Sequence, residues 1–360
     1  MKYLQSHIFI SFLCWLTLTS SVLGFQSPAS FPRPYVRVFG RSTPGKLPGP
    51  LVVKRHPMAL NVAAPVVTST LATIALPSAK TILLANLLPT CIGFYKYEYG
   101  VSYAYGTATA TTAYFALRAL LSAPTSAFTA VAQIHAAAIV FYGIRLNLFL
   151  LYREFFNERF RKMREKIEAR QTKKEVDTGL IGRFLNRTPF IISCAMLYAG
   201  LAAPALSSAK LIQIGAAPTC EIALLAYKGL VGLTWFGYML GAVGDVTKSA
   251  VKGKKGPDHL VTGGVFSLFR HPNYTGEIIG WSSNFLASIV AISGTKRLDI
   301  LKTMSPALAL GSLGVVGILF VLCAATGNLE SRQLEKYGKT DEYKAWVKKS
   351  WSGPKLAKKV

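Results

Sequence analysis

Long apolar runs alternate with short polar connections along most of the chain, and this pattern predicts a bundle of membrane helices. A helix of about 20 apolar residues crosses the hydrocarbon core of a bilayer. The candidate spans are 62–92, 101–122, 128–152, 188–208, 222–244, 275–293 and 304–326. The first contains Pro77 and Lys80, so it is either one long tilted helix or a half-span followed by a turn. We therefore expect an all-α fold of about six to eight spans, followed by an amphipathic C-terminal helix.

Lysine and arginine are concentrated in three polar segments, 153–187, 245–274 and the tail after residue 327. Two candidate spans separate the first segment from the second, and two more separate the second from the tail. The three segments are therefore expected on one side of the membrane. The connections 123–127 and 209–221 carry almost no positive charge, as is typical of the translocated side.

The composition agrees with a membrane protein and argues against other classes. Of the 360 residues 51% are hydrophobic and 16% are charged, whereas soluble domains have about 25% charged residues. The net charge of +25 falls in loops and comes with no recognition motif, so we expect no nucleic-acid partner. The five cysteines form no CxxC pair and no zinc-type spacing with histidine, so we expect no metal site and no disulfide framework. The expected partners are the lipid bilayer and a lipophilic small molecule, without an obligate protein partner.

The first 60 or so residues have the composition of a targeting address. Residues 1–24 are typical of a secretory signal, with an apolar core at 8–18 and small residues at the end. The segment 25–60 is rich in Ser, Pro and Arg and has no acidic residue, as in a transit peptide. A signal followed directly by Phe25 and a transit-like segment resembles the bipartite plastid address of algae with secondary plastids. We therefore expect a plastid membrane, with 61–360 as the membrane domain; the alternative is a simple secretory signal and the endoplasmic reticulum.

The polar stretch with the most distinctive sequence is 263–277, which directly precedes a candidate span. Pro272 stops any preceding helix, and Asn273 is expected to cap the next one. The amino terminus of a helix offers free N–H groups to a phosphate or carboxylate, and the planar guanidinium of Arg270 suits a phosphate. Glu277 enters the membrane by about one turn, where a charge is costly without a partner or a role. A functional site explains this stretch better than a well-capped interfacial loop.

Two further charged positions lie near the ends of spans. Arg145 is about two turns inside a span, so it needs a carboxylate or an anionic ligand unless its long side chain reaches the basic face. Asp245 comes just past the end of another span and is followed by Lys248. An ion pair or a helix end explains Asp245 and Lys248 as well as a functional role does.

A fourth cluster follows the last span. Glu330, Leu334 and Tyr337 are spaced i, i+4 and i+7, so they share one helical stripe. The alternative to a functional stripe is an amphipathic helix on the membrane, because Trp and Tyr favour the interface.

In this order the four clusters resemble one superfamily of membrane enzymes, which includes steroid 5-alpha-reductases, sterol reductases and, more distantly, isoprenylcysteine carboxyl methyltransferases and phospholipid methyltransferases. The chain is most similar, over about residues 100–350, to the uncharacterised steroid-5-alpha-reductase-like branch. The matching elements are Arg270-His271-Pro272-Asn273-Tyr274-Thr275-Gly276-Glu277, Arg145-Leu146, Glu158-Arg159, and Asp245 with Lys248. The branch usually has Trp and an aromatic stretch before the Arg-His-Pro, where this chain has 265–269. It usually has Phe at the position of Thr275.

The resemblance implies a membrane-embedded, NADPH-dependent reductase of a conjugated C=C bond in a lipid of steroid, isoprenoid or enoyl type. The implied catalytic donors are Tyr274, Glu277 and Tyr337. The implied cofactor-binding residues are Arg270, His271, Asn273, Asp245, Lys248, Glu330 and Arg145.

Two other functions stay open at the level of the sequence. The first is an S-adenosylmethionine-dependent methyltransferase of isoprenylcysteine or phospholipid. Methyltransferases more often carry adjacent glutamates after the last span, where this chain has Glu330-Ser331. The excess of basic residues at this face favours the 2′-phosphate of NADPH. The second is a non-enzymatic scaffold or lipid-binding protein.

Overall fold

The computed structural model of the chain describes residues 75–175 and 179–356. The signal 1–24, the transit-like segment 25–60 and the first part of the candidate span 62–92 lie outside these residues. Within the described part the protein is an all-α bundle, with one isolated β-bridge between Phe269 and Trp351.

Nine helices form most of the described part of the chain, together with two short helical turns and one 3-10 turn. They are α1 Ala79–Thr90, α2 Tyr103–Leu121, α3 Ala127–Phe156, α4 Glu158–Glu175, α5 Gly179–Gln213, α6 Glu221–Lys255, α7 Pro272–Ser293, α8 Leu298–Tyr337 and α9 Asp341–Lys349. The short turns are Ile92–Tyr95, Tyr97–Val101 and Gly264–Ser267.

Four helices of the described part, α3, α5, α6 and α8, are long and apolar enough to cross a membrane. They coincide with the predicted spans 128–152, 188–208, 222–244 and 304–326. The predicted spans 101–122 and 275–293 are helical as well, as α2 and α7, but they carry more polar residues. The protein is thus an all-α membrane protein, as predicted.

The segment after the predicted span 304–326 differs from the expectation of a separate amphipathic helix that contains Glu330. The 40-residue helix α8 continues from the predicted span to Tyr337, so the stripe with Glu330 belongs to the span helix itself. The separate amphipathic helix is α9, which begins where the side chain of Thr340 accepts a hydrogen bond from the Tyr343 amide at 3.3 Å. It buries Tyr343 and Trp346 against the loop that precedes α7.

The expected cap at Asn273 was wrong. Helix α7 begins at Pro272, and His271 is the residue before it, so Asn273 lies inside the first turn. Proline fits this first position because its fixed φ is close to the helical value. It lacks an N–H, but an N–H at this position has no acceptor within the helix.

Helix α7 is the centre of the bundle and packs against α5, α6 and α8. It approaches α6 most closely, and this approach depends on glycine. A Cβ atom on Gly276 would overlap the α6 backbone at Gly237 and Gly241. The two backbones therefore come together at the depth where α6 and α7 carry their buried carboxylates.

The three basic segments meet at one end of the bundle, which confirms that they share a side. Asp258, in the loop after α6, accepts hydrogen bonds from Arg159 at 3.2 Å and from Lys336. Tyr337 donates to the main-chain oxygen of Asp258 at 2.7 Å. The hydrogen bonds from Lys336 and then Arg159 lower the pKa of the exposed Asp258 carboxyl below its ordinary value.

Candidate functional site

Three charged side chains from three helices meet inside the bundle, close to its basic end. Arg145 of α3 donates to Asp245 of α6 at 2.7 Å, and a second nitrogen of Arg145 lies 3.8 Å from Glu277 of α7. All three side chains are only 10 to 13% exposed. Arg145 thus has the carboxylate partner that its depth in a span requires. One guanidinium faces two carboxyl groups, and its close contact is with Asp245.

A layer of aromatic rings lies next to this charged group. Tyr142, one turn before Arg145, has its ring 4.9 Å below the guanidinium carbon. Its ring centroid is 4.7 Å from that of Tyr238 and 5.0 Å from that of Trp281. Tyr105 of α2 closes the layer, at 5.6 Å from Tyr142. Each of these rings is almost completely buried.

Four polar atoms of this layer and its guanidinium lack hydrogen-bond partners among the described residues. They are the hydroxyl of Tyr238, Nε1 of Trp281, and Nε and Nη2 of Arg145, whereas the Tyr142 hydroxyl interacts with the Glu277 carboxyl. An indole N–H and a guanidinium N–H can only donate, and a phenol can donate as well. A buried polar group without a partner costs about 1–3 kcal/mol. The site therefore concentrates donors in a water-poor place where an acceptor is missing.

Deeper in the bundle a second polar group is fully satisfied. His135 contacts the Tyr227 hydroxyl at 3.1 Å and the Asn284 side-chain oxygen at 2.8 Å. Asn284 donates in turn to the Leu201 carbonyl at 2.9 Å, and Tyr227 meets Ser208 at 3.0 Å. Because Asn284 uses its amide nitrogen on Leu201, its oxygen accepts from His135 Nε2. This network joins α3, α5, α6 and α7 and needs no ligand to complete it.

Arg270 and His271, the first residues of the stretch 270–277, lie at the basic end and bind other parts of the chain. Glu330 accepts from Arg270 Nε at 2.9 Å and Nη2 at 3.1 Å, and it lies 2.8 Å from His271 Nε2. The remaining nitrogen of Arg270 donates to the carbonyls of Val347, at 3.1 Å, and Ser350. Every nitrogen of this guanidinium is therefore engaged by protein, and Arg270 acts as a clamp between α8, α9 and the start of α7.

Several cations near the same end form no ion pair in the part of the chain that the structure describes. Arg153, Lys248 and Arg332 are those within electrostatic range of Asp245 or Tyr274. Arg153 lies 3.9 Å over the Phe160 ring and is within electrostatic range of Asp245 and Tyr274. Lys248 is in range of Asp245, and Arg332 is in range of Tyr274. These cations therefore lie near the buried charged group, and none of them is neutralised by a direct ion pair with a described residue.

Three other residues predicted for the site are Tyr274, Asn273 and Tyr337, and only Tyr274 lies beside the buried charged group. Tyr274 stacks at 6.5 Å on the His271 ring and packs against the core beside the charged group. The Asn273 side chain makes no hydrogen bond to the described residues. Tyr337 is occupied at the surface by the Asp258 carbonyl, so it is the predicted donor that the structure leaves farthest from the buried layer.

The region that holds these residues is covered by one family. Residues 101–350 match the family described as protein of unknown function DUF1295. The chain belongs to this family. No curated protein and no solved structure matched the chain. The DUF1295 region runs from the start of α2 to Ser350, so it includes both the buried donor layer and the Arg270 clamp.

The sequence predicted Arg145 and Glu277 as site residues but not the aromatic residues that lie beside them. Tyr142 and His135 are seven residues apart, and Glu277, Trp281 and Asn284 are spaced i, i+4 and i+7. These spacings place polar atoms on one face of each apolar helix. The signal was present, but the rings count as apolar in a hydropathy profile and therefore merged with the spans.

Proposed function

We propose that this chain is a membrane-embedded, NADPH-dependent reductase of a conjugated C=C bond in a lipid, of the steroid 5-alpha-reductase-like type. The observation that carries the proposal is the buried donor layer beside Arg145. Reduction of an α,β-unsaturated carbonyl places negative charge on the carbonyl oxygen as a hydride adds to the β-carbon. Preorganised donors in a water-excluded site stabilise such a charge.

Each group of the layer has a role in this proposal. Tyr238 and Trp281 donate to the carbonyl oxygen of the lipid, and the nearby guanidinium of Arg145 strengthens their effect. A proton must then reach the α-carbon, and we assign it to the Glu277 carboxyl or to the hydroxyl of Tyr142, which interacts with Glu277. The apolar surfaces of the surrounding helices hold the lipid itself.

The residues at the basic end fit an anionic dinucleotide. Arg153, Lys248 and Arg332 form no direct ion pair with a described residue, so we assign them to the phosphates. Arg270, which the sequence favoured for this task, is engaged with Glu330 and two carbonyls and keeps the end of the bundle assembled. When bound, NADPH supplies the hydride. The protein's part is to hold the phosphates outside the buried layer and the lipid carbonyl inside it.

The same donors make methyl transfer a poorer fit. In that reaction an oxygen or nitrogen of the acceptor attacks the methyl group. Donors aimed at an attacking oxygen stabilise its charge before reaction and so lower its reactivity. The layer has an excess of donors and therefore suits an oxygen that gains charge.

Cofactor binding by the detergent-purified protein tests the proposal. We expect saturable NADPH binding and weaker binding of NADH. Lys248→Gln should weaken NADPH about tenfold, because one lost contact between a cation and a phosphate costs on the order of 1.4 kcal/mol. The matched control is Lys348→Gln, an exposed lysine of α9 that should leave binding unchanged. Tight S-adenosylmethionine binding without NADPH binding would overturn the reductase.

We also propose a plastid membrane as the location, on the basis of the signal-like segment 1–24 and the transit-like segment 25–60. The first 60 residues fused to a fluorescent protein should direct it to plastids in a host with secondary plastids. The same fusion with Phe25→Ala should stop in the endoplasmic reticulum. Retention of the unaltered fusion in the endoplasmic reticulum would favour the simple secretory signal.

A further inference from the structure

Residues 351–356, which we call the strap, lie across the start of α7 after the end of α9. The strap begins directly after Ser350, whose carbonyl is held by Arg270. It therefore lies immediately beyond residues 101–350, the part that matches the family. Its path covers the first turn of α7 and the part of α8 near Cys323.

The strap is held by main-chain hydrogen bonds, one ion pair and one ring contact, between Trp351 and Phe269 at 6.1 Å. Arg270 N donates to the Trp351 carbonyl and Trp351 N to the Leu268 carbonyl, both at 2.8 Å, and Leu356 N donates to Cys323 at 3.1 Å. Lys355 lies 3.4 Å from Glu330. Its large side chains are poorly buried, since Trp351 is 52% and Leu356 43% exposed. Segments with few buried apolar contacts open at low free energy while the rest of a protein stays folded.

A polar group without a partner lies beneath the strap. The hydroxyl of Thr275, in the first turn of α7, is buried and has no hydrogen-bond partner among the described residues. A helical threonine usually donates to the carbonyl four residues earlier. Thr275 does not, so its hydroxyl is available to a group outside its own helix. The amino terminus of α7 favours negative charge at the same place.

The strap reaches Thr275 through a glycine. Gly353 has φ +78°, and a Cβ atom there would lie 2.6 Å from the Thr275 hydroxyl oxygen. The close cover over Thr275 therefore requires glycine at position 353. The strap shields the Thr275 hydroxyl from water but offers it no hydrogen-bond acceptor. The hydroxyl is therefore unsatisfied while the strap covers it.

We propose that the strap is a lid, and that its opening lets the Thr275 hydroxyl donate to an oxygen of an anionic, water-soluble ligand at the start of α7. The inference rests on the proposed function, in which that ligand is the dinucleotide and the oxygen belongs to its phosphates or ribose. Arg270 keeps Ser350 fixed, so the lid pivots at the Ser350–Trp351 junction. Opening and closing then controls access to the basic end of the bundle.

A reversible cross-link tests the lid. In a background with all five cysteines changed to alanine, Phe269→Cys and Trp351→Cys face each other across the β-bridge. Bridged neighbours in paired strands lie within the span that a disulfide requires. Oxidation should weaken NADPH binding at least about tenfold, which corresponds to a binding-competent state reduced to a tenth of its population. Reduction should restore it, and Phe269→Cys alone should not respond to oxidant. Equal affinity in the locked and reduced states would overturn the lid.

A labelling experiment tests the lid without depending on the cofactor. In the cysteine-free background, Thr275→Cys should react slowly with a charged thiol reagent, and NADPH should slow it further. Ser267→Cys, at an exposed position, should react fast, and Ser288→Cys, at a buried position of α7, should not react. If Thr275→Cys reacts no faster than Ser288→Cys, the lid is refuted whatever the cofactor does. If Thr275→Cys reacts but NADPH binds nowhere, the proposed function fails and the lid stands.

Discussion

Arg145 and Asp245 stand 100 positions apart in the chain and form a 2.7 Å ion pair inside the bundle. Breaking such a buried pair leaves an uncompensated charge, which costs about 3–5 kcal/mol. We therefore expect Arg145→Leu to lower the free energy of unfolding in detergent by about that amount. Arg297 and Asp299 form a comparable contact at the surface, 54% and 63% exposed.

The surface pair provides the control for this prediction. Exposed ion pairs are screened by solvent and contribute little, so Arg297→Leu should leave the free energy of unfolding nearly unchanged. An equal loss of unfolding free energy in the two variants would contradict the prediction. It would show that burial of the Arg145–Asp245 pair does not make it more important for stability than an exposed pair.

The close approach of α6 and α7 predicts an asymmetric response to alanine. Gly276→Ala places a methyl group against the α6 backbone and should destabilise the protein by about 1–3 kcal/mol, as overpacking does. Gly232→Ala, on the outward face of α6, has open space around its Cβ position. That variant should be neutral or up to about 1 kcal/mol more stable, because alanine is the better helix former. Thermal unfolding of both variants in one detergent compares them directly, and a stable Gly276→Ala would contradict the packing.

Two buried tyrosines separate a functional hydroxyl from a structural one. Tyr238 has no hydrogen-bond partner in the described part of the chain, whereas Tyr198 donates to the Gly100 carbonyl at 2.9 Å. Tyr238→Phe should therefore keep its stability and lose turnover by roughly 100-fold or more. Tyr198→Phe should lose about 1 kcal/mol of stability and keep its turnover per folded molecule. The reverse pattern, measured by unfolding and enone reduction, would remove Tyr238 from the proposed chemistry.

The Arg270 clamp predicts a local effect at the basic end. Arg270→Lys keeps the charge but loses the planar fork that holds Glu330 and the Ser350 carbonyl together. We expect faster amide hydrogen exchange over 341–356 and unchanged exchange in α3 and α6. Lys349→Arg, at an exposed position of α9, is the matched control. Uniformly faster exchange would mean that Arg270 supports the whole bundle.

The sequence predicts the helices well because membrane insertion depends on local apolar content. The span predicted at 222–244 lies within Glu221–Lys255, and the one at 304–326 lies within Leu298–Tyr337. The observed helices are longer because hydropathy measures the hydrocarbon crossing, whereas backbone hydrogen bonding continues into the polar region. Arg145 and Glu277 could also be chosen from sequence, since a charge in a span needs a reason.

The partners of the site residues could not be predicted from the sequence. Arg270 suits a phosphate by its chemistry, but its occupation by Glu330 and Ser350 depends on how α8 and α9 fold back onto α7. The unpartnered hydroxyl of Tyr238 could not be predicted either, because it depends on which atoms the packing of the helices places within hydrogen-bond distance. In the sequence, Thr275 stands out only because the family branch usually has Phe at this position. Its proposed role depends on Gly353, which covers the Thr275 hydroxyl in the fold and is 78 residues away in the chain.

The Arg270 clamp also has a consequence in time. Its partners lie 60 residues later, in Glu330, and 80 residues later, in Ser350. At about 5–20 residues per second, the ribosome delivers Ser350 roughly 4 to 16 s after Arg270. During that interval the carboxylate and carbonyl partners of Arg270 have not all been synthesised. The basic end of the molecule is therefore assembled last. If translation stops within α8, the contacts that Arg270 makes with Val347 and Ser350 cannot form.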